Sequence, residues 1–286
     1  APLLRVAEKG VPVFVVPGNH ERSRLPHARL LQHPLVHVFD APRTVVVDVR
    51  GHRLALSGFP FERGSVRARF PELLARTGWR DHEADTRLLC IHHCVEGAVV
   101  GPADFTFTKG ADVIRGRDVP AGFAAVLSGH IHRHQVLTTH LSGRPLAAPV
   151  LYPGSLERTS TAEIGEPKGW LRLELDAGGL RWQFEPLAVR PMHVHRLDAG
   201  SEDGTELDAR LRELVAGAED DAVLVVHVDG TLTRAQLRVV STAHVRSLTP
   251  ASMNVEVRAA DHRVWQGRRP RTTVPAMTDH NLALDL

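Results

Sequence analysis

Short apolar runs that end in polar residues recur along the chain, and each predicts a buried strand. Clear examples occupy residues 13–16, 88–91 and 123–127. The runs at 43–49 and 53–60 flank Arg50-Gly51 and predict a β-hairpin. Residues 66–77 predict an amphipathic helix, with Pro71 as a position where that helix could break. The alternation of strands and helix indicates an α/β fold.

The second half of the chain has a different pattern. Residues 135–155 and 170–189 alternate apolar and polar positions around glycine-containing turns, which predicts antiparallel strands. Beyond Arg190, an acidic helix-like segment and two apolar strands predict a small α+β unit. The expected organisation is a core over 1–189, a second domain over 190–265 and a loosely ordered tail over 266–286.

Composition narrows the class of protein without identifying it. The 286 residues are 43% hydrophobic and 24% charged, which is ordinary for a globular protein, and a formal net charge of +2 does not by itself indicate nucleic acid. No apolar run has the length of a membrane span. The two cysteines, Cys90 and Cys94, are too few for a disulfide framework, so we expect a reducing, cytoplasmic setting.

Three of the predicted strands end in residues that bind metal ions. Asn19-His20 follows the first, His92-His93 the second and His130-x-His132 the third. One such histidine would usually be an ordinary polar residue at a strand end, but three groups in one chain favour a metal centre. Imidazole and amide donors suit Mn, Fe or Zn. Alternation is expected to turn His130 and His132 to one side, where each could serve a different ion of a pair.

The segment Cys90–Cys94 (CIHHC) offers an alternative, a structural zinc site. Its cysteines and His92 would share one face of a continued strand, but side chains two residues apart diverge along an extended chain. A structural zinc site also needs a second ligand pair, and the sequence has no further cysteine. We therefore expect both cysteines to pack in the core.

The ordered motifs resemble those of a known enzyme family. Gly18-Asn19-His20-Glu21, His92 after an apolar strand, and Gly129-His130-Ile131-His132 match in order the last three signature motifs of the calcineurin-like metallophosphoesterases. Residues 152–170 resemble the stretch that follows the double-histidine motif in the SbcD/MRE-eleven DNA repair nucleases. The resemblance implies a four-layered α/β/β/α core, with residues 190–265 as a DNA-capping domain.

The resemblance also implies roles for individual residues. Asn19, His92 and His130 would hold one divalent ion, and His132 would hold a second; Mn²⁺ is the expected metal. His20 would not be a ligand but would face the scissile phosphate and protonate the leaving oxygen. A substrate-binding loop would include five residues, Tyr152, Ser155, Arg158, Thr159 and Ser160.

The implied activity is hydrolysis of DNA phosphodiester bonds by an exonuclease and endonuclease at double-strand ends, during DNA repair in the bacterial cytoplasm. The implied partners are DNA, a second copy of the chain in a homodimer, and an SMC-like ATPase of the SbcC type. Two alternatives stay open: a phosphodiesterase for small molecules or cyclic nucleotides, and a non-catalytic scaffold of the same fold.

The sequence also departs from the family pattern. The family's first two motifs, Asp-x-His and Gly-Asp, have no counterpart before Gly18, and the first aspartate is Asp40. We therefore expect an N-terminally truncated core that is catalytically incomplete as it stands. Residues 166–170 are expected to form a turn with Trp170 packed in the core. Phe59 and Phe61, in the loop after a predicted strand, could either line a substrate groove or be buried.

Overall fold

The computed structural model describes residues 2–21, 32–176, 178–200 and 203–259, which form a mixed α/β protein. The chain divides into two compact units, Ala1–Met192 and His193–Leu286. This division lies close to the expected boundary at residue 190, while the predicted tail over 266–286 lies outside the described residues. In the described part of the chain, no helix has the length and apolar composition needed to cross a bilayer.

The first unit contains two helices, two 3₁₀ turns and fourteen strands among its described residues. In chain order these are α1 (Pro2–Ala7), β1 (Val13–Val15), β2 (Val36–Val38), β3 (Arg43–Val49), β4 (His52–Gly58), α2 (Val66–Arg76), β5 (Thr86–Ile91), β6 (Cys94–Val95), β7 (Val99–Val100), β8 (Phe105–Thr106), β9 (Val113–Ile114), a 3₁₀ turn (Gly116–Asp118), β10 (Ala125–Ser128), β11 (Gln135–Thr139), β12 (Pro145–Tyr152), a 3₁₀ turn (Thr161–Glu163), β13 (Gly169–Asp176) and β14 (Gly179–Pro186).

Six of these strands form a central mixed sheet in the order β11-β12-β10-β5-β4-β3. The four inner strands run parallel, and the two edge strands pair antiparallel to their neighbours. In this register Ile91 lies beside Ser128 at the carboxyl ends of β5 and β10. The residues that follow these two strands therefore leave the sheet next to each other, at the edge where α/β proteins usually bind ligands.

Both faces of the central sheet are covered, because alternate side chains of a strand point to opposite faces. On one face, Leu89 and Val126 pack against buried residues of α2. On the other face, Leu88 and Leu151 pack against apolar side chains of the β13–β14 hairpin. Neighbouring residues on that second face contact β1, and α1 packs against the β1–β2 pair.

The predicted hairpin is confirmed, whereas Pro71 does not break the predicted helix. β3 and β4 pair in register around Arg50 and Gly51, both of which have the positive φ that a tight turn requires. Helix α2 continues through Pro71. Proline leaves the carbonyl of Arg67 without its helical donor, and the guanidinium of Arg115 donates to that oxygen at 3.4 Å.

The second unit is a small α+β structure. A three-stranded sheet has the order β15-β16-β17, and β16 and β17 pair in parallel. Asp203 and Glu206 form a capping box at the start of the helix Gly204–Ala216. Two short helices between β16 and β17 were not predicted from the sequence. Its elements are β15 (Met192–Asp198), α3 (Gly204–Ala216), β16 (Val223–Asp229), α4 (Arg234–Val239), α5 (Thr242–Leu248) and β17 (Asn254–Ala259).

Candidate metal centre

Three of the predicted ligands come together at the edge of the central sheet. His92 follows β5 and His130 follows the turn after β10, and their ring centroids are 5.3 Å apart. Asn19 comes from the loop after β1, and its Oδ1 lies 3.1 Å from His92 Nε2. The N–H of Phe61 donates to the carbonyl of Pro17, which ties this loop to the segment after β4. The strand ends therefore bring two imidazoles and one amide oxygen into one site.

His20 and His132 lie near these residues. The pKa of His92 is lowered to about 4, chiefly by burial and then by the nearby His130, His132 and His20. The pKa of His130 is likewise lowered to about 4, by burial first and then by His132 and His20. Both rings are therefore neutral at pH 7 and keep a nitrogen lone pair for a metal ion.

Two glycines allow His92 to take its position. A Cβ on Gly18 would lie 2.7 Å from His92 Nε2, and a Cβ on Gly129 would lie 2.6 Å from His92 Nδ1. These distances are shorter than a side-chain carbon tolerates, so both motifs need glycine beside the ring. β10 ends at Ser128 and His130 has φ of 77°, so a left-handed residue, rather than strand alternation, directs the two histidines.

Phe61 lines the site, whereas Phe59 is buried. Phe61 stacks on His93 with centroids 4.8 Å apart, and it also contacts the rings of His92 and His130. His93 itself is fully buried and its Nε2 accepts a hydrogen bond from the N–H of Glu62. Burial lowers the pKa of His93 to about 3, with smaller effects of the neighbouring histidines. His93 is therefore a neutral core residue beside the site.

His132 is held by a cluster that the sequence did not reveal. Glu163 Oε1 lies 3.0 Å from His132 Nδ1 and 2.6 Å from the Thr159 hydroxyl. Lys168 Nζ lies 2.5 Å from Glu163 Oε2 and 3.3 Å from Glu166 Oε2, and its side chain is fully buried. Burial alone would raise the pKa of Glu163, but hydrogen bonds from His132, Lys168 and Thr159 lower it to about 2.

The expected turn at 166–170 is wrong at its end, because Gly169 and Trp170 begin strand β13, and its side chains are placed the other way round. Trp170 is 44% exposed, whereas Lys168 is buried with Glu163 and Glu166. In β13 the inward positions are Leu171 and Leu173, which pack on the central sheet, so the neighbouring Trp170 faces outward. The expectation of a core tryptophan was wrong. The alternation in GWLRLELD already placed Trp170 on the face opposite Leu171 and Leu173.

The five residues of the predicted substrate loop have different environments. Tyr152 is fully buried; its hydroxyl accepts from the N–H of Val95 and donates to the carbonyl of His93. It supports the site from inside the core and exposes no atom to a substrate. The other four predicted contacts lie in the segment after β12. The Ser155 hydroxyl donates to the carbonyl of Glu157, and the Arg158 guanidinium donates to the carbonyl of Arg190. The Thr159 hydroxyl bonds to the carboxylate of Glu163. The Ser160 hydroxyl is buried and has no hydrogen-bond partner among the described residues.

The zinc alternative for CIHHC does not hold. Cys90 packs with Phe39 and Leu56 on one face of the sheet, whereas Cys94 belongs to the core on the other face. The pKa of each thiol is raised to about 12, by burial for Cys90 and by burial and then Asp112 for Cys94. The two thiols cannot share an ion, and both pack in the core as expected.

Within the described ranges, no three His, Cys, Asp or Glu side chains converge as a complete metal site. The convergence observed here is of His92, His130 and the amide of Asn19. The sequence matches no protein-family model and has no significant match to a curated protein.

Proposed function

We propose that this chain is the catalytic part of a metal-dependent phosphodiesterase that acts on DNA ends during DNA repair. The observation that carries the proposal is the convergence of Asn19, His92 and His130 at neighbouring strand ends, with His20 and His132 beside them. Neutral imidazoles and an amide oxygen fit Mn²⁺, Fe²⁺ or Zn²⁺. Two divalent ions would neutralise the negative charge that develops on a phosphoryl group during hydrolysis.

The chain's own residues have distinct tasks in this proposal. Asn19, His92 and His130 would hold one ion, and His132 would contribute to a second. Phe61 lies edge-on to His92 and tilted against His130, and it forms an apolar side of the site. His20 is exposed and carries the proton that passes to the leaving oxygen.

The donor set also predicts how strongly this chain binds metal. Asn19, His92, His130 and His132 are all neutral donors, and a pair of cations needs a negative ligand to offset their repulsion. We therefore expect residues 1–286 to bind at most one ion, weakly. Full activity requires the bridging carboxylate that the family's Gly-Asp motif supplies.

The proposed architecture is the four-layered α/β/β/α core of the metallophosphoesterases. Its support is the coverage of the central sheet by α2 on one face and by β1–β2 and β13–β14 on the other, with α1 outside β1–β2. The second unit, His193–Leu286, is proposed as a DNA-capping domain. A homodimer that works with an SMC-like ATPase of the SbcC type belongs to the same proposal.

The test is manganese-dependent cleavage of linear duplex DNA by two proteins. One is the 286-residue chain, and the other, called the extended protein, adds any residues that the gene encodes upstream of Ala1. We expect cleavage by the extended protein, its loss in His92→Ala and His130→Ala, and normal cleavage in the exposed control His82→Ala. Cleavage of cyclic nucleotides without cleavage of DNA would favour the small-molecule phosphodiesterase. Inactivity of both chains on every phosphodiester would favour the non-catalytic scaffold.

A further inference from the structure

We infer that Glu163 is a positioning residue for His132, and that it holds the imidazole in the tautomer with the proton on Nδ1. The benefit of this tautomer for metal binding rests on the proposed function, but the tautomer itself does not. Glu163 Oε1 lies 3.0 Å from His132 Nδ1. An ionised carboxylate only accepts hydrogen bonds, so the nitrogen that faces it must donate.

The orientation of this carboxylate is fixed from two sides. Lys168 Nζ lies 2.5 Å from Glu163 Oε2, which leaves Oε1 for His132. The same ammonium group donates to the backbone carbonyl of His132 at 3.0 Å, so it holds both partners. Because Lys168 is fully buried and Glu163 is only 6% exposed, water competes little for these bonds.

Thr159 reinforces the arrangement. Its Oγ1 lies 2.6 Å from Glu163 Oε1 and 3.1 Å from His132 Nδ1. When the hydroxyl donates to the carboxylate, its oxygen becomes a second acceptor for the proton on Nδ1. Both oxygens near Nδ1 therefore favour the same tautomer.

This tautomer leaves Nε2 as the nitrogen with a free lone pair. Nε2 of His132 has no hydrogen-bond partner among the residues that the structure describes. A carboxylate behind the ring raises the basicity of the ligating nitrogen and fixes the ring's orientation, and loss of such a partner typically lowers metal affinity about 10–100-fold. His132 is thereby prepared to act as a ligand.

Glu166 provides a matched comparison within the same buried cluster. Its carboxylate bonds to Lys168 at 3.3 Å and to Arg133 at 2.9 Å, and these contacts do not involve His132. Glu166 is also about as buried as Glu163. Replacement of Glu166 therefore disturbs the cluster's charge without removing the acceptor from Nδ1.

The experiment compares Glu163→Gln with Glu166→Gln by NMR of ¹⁵N-labelled histidine in the metal-free 286-residue chain at about pH 8. His132→Gln assigns the signal. We expect wild type to have the proton on Nδ1. In Glu163→Gln, Lys168 holds the amide oxygen, which turns the NH₂ group toward Nδ1 and moves the proton to Nε2. Glu166→Gln should keep the wild-type tautomer.

The inference is overturned by a wild-type proton on Nε2, by an unchanged tautomer in Glu163→Gln, or by an equal change in Glu166→Gln. If Glu163→Gln does not fold, the wild-type and Glu166→Gln spectra test the inference, since both should have the proton on Nδ1. Calorimetric titration of the extended protein with Mn²⁺ should show an affinity about 10–100-fold lower in Glu163→Gln only. A changed tautomer without that loss supports the positioning role and contradicts the proposal that His132 is a ligand.

Discussion

The two halves of the candidate site are held by different kinds of contact. Asn19, His92 and His130 come from strand ends, and the register of β5 with β10 brings two of them together. His132 instead relies on a buried charged cluster of Glu163, Glu166 and Lys168. Two members of this cluster contact it, from 31 and 36 residues later in the chain. One half depends on sheet geometry, and the other depends on a loop that folds back over the site.

The largest expected effect is a loss of folding stability when the charged cluster around His132 loses its lysine. Lys168→Met leaves the buried carboxylates of Glu163 and Glu166 without their shared cation, and loss of one partner from a buried ion pair costs about 3–5 kcal/mol. Lys109→Met, at an exposed lysine, should change the free energy of unfolding by less than about 0.5 kcal/mol. Urea denaturation of both variants measures the difference. Equal losses would mean that the charged cluster contributes nothing specific.

The same contrast explains what the sequence could predict. The strand ends could be identified because an apolar run followed by a histidine is a local pattern, and parallel neighbours place such ends together. The hairpin around Arg50 and the helix at 66–76 are local in the same sense. These features needed no knowledge of distant contacts.

The charged cluster could not be predicted in this way. Glu163, Glu166 and Lys168 stand in a polar stretch that is typical of an exposed loop, and their burial arises only when that stretch packs against His132. The left-handed backbone at His130 was also missed, because positive φ is uncommon at any single non-glycine residue, histidine included. Both features follow from tertiary packing.

A second prediction separates ligands from the proposed acid. In the extended protein, His20→Ala should lower turnover about 10²-fold, the scale of a lost general acid, because His20 is exposed beside the ligands but holds no ion. Its Mn²⁺ affinity should stay near that of wild type, whereas His92→Ala should lose both affinity and turnover. Calorimetric titration beside a nuclease assay resolves the two quantities. Weakened Mn²⁺ binding in His20→Ala would make His20 a ligand.

A third prediction concerns the fit between His92 and the glycines that flank it. In Gly129→Ala, the new Cβ would lie 2.6 Å from His92 Nδ1, and such overpacking costs about 1–3 kcal/mol. The shift of the ring should also separate His92 from Asn19 and weaken metal binding. Gly165→Ala is the control, because its Cβ meets no atom within 4 Å and its backbone does not require positive φ. An unchanged melting temperature in Gly129→Ala would contradict this account of the motif.

The smallest expected difference over any one pH unit is in the response to acid of His93, beside the strand-end ligands, and of Glu163, beside His132. The pKa of the buried His93 falls from an ordinary 6.5 to about 3, so the unfolded chain takes up this proton first as the pH drops. Stability from neutral His93 is complete above about pH 6.5 and declines toward pH 3, by about 1.4 kcal/mol per pH unit at most. For Glu163, whose pKa falls from 4.5 to about 2, the loss comes between those values. Denaturation at a series of pH values should therefore show a shallower slope between pH 6.5 and 4.5 in His93→Gln, with no such change in the exposed control His82→Gln. Equal slopes in wild type and His93→Gln would mean that His93 does not control this range.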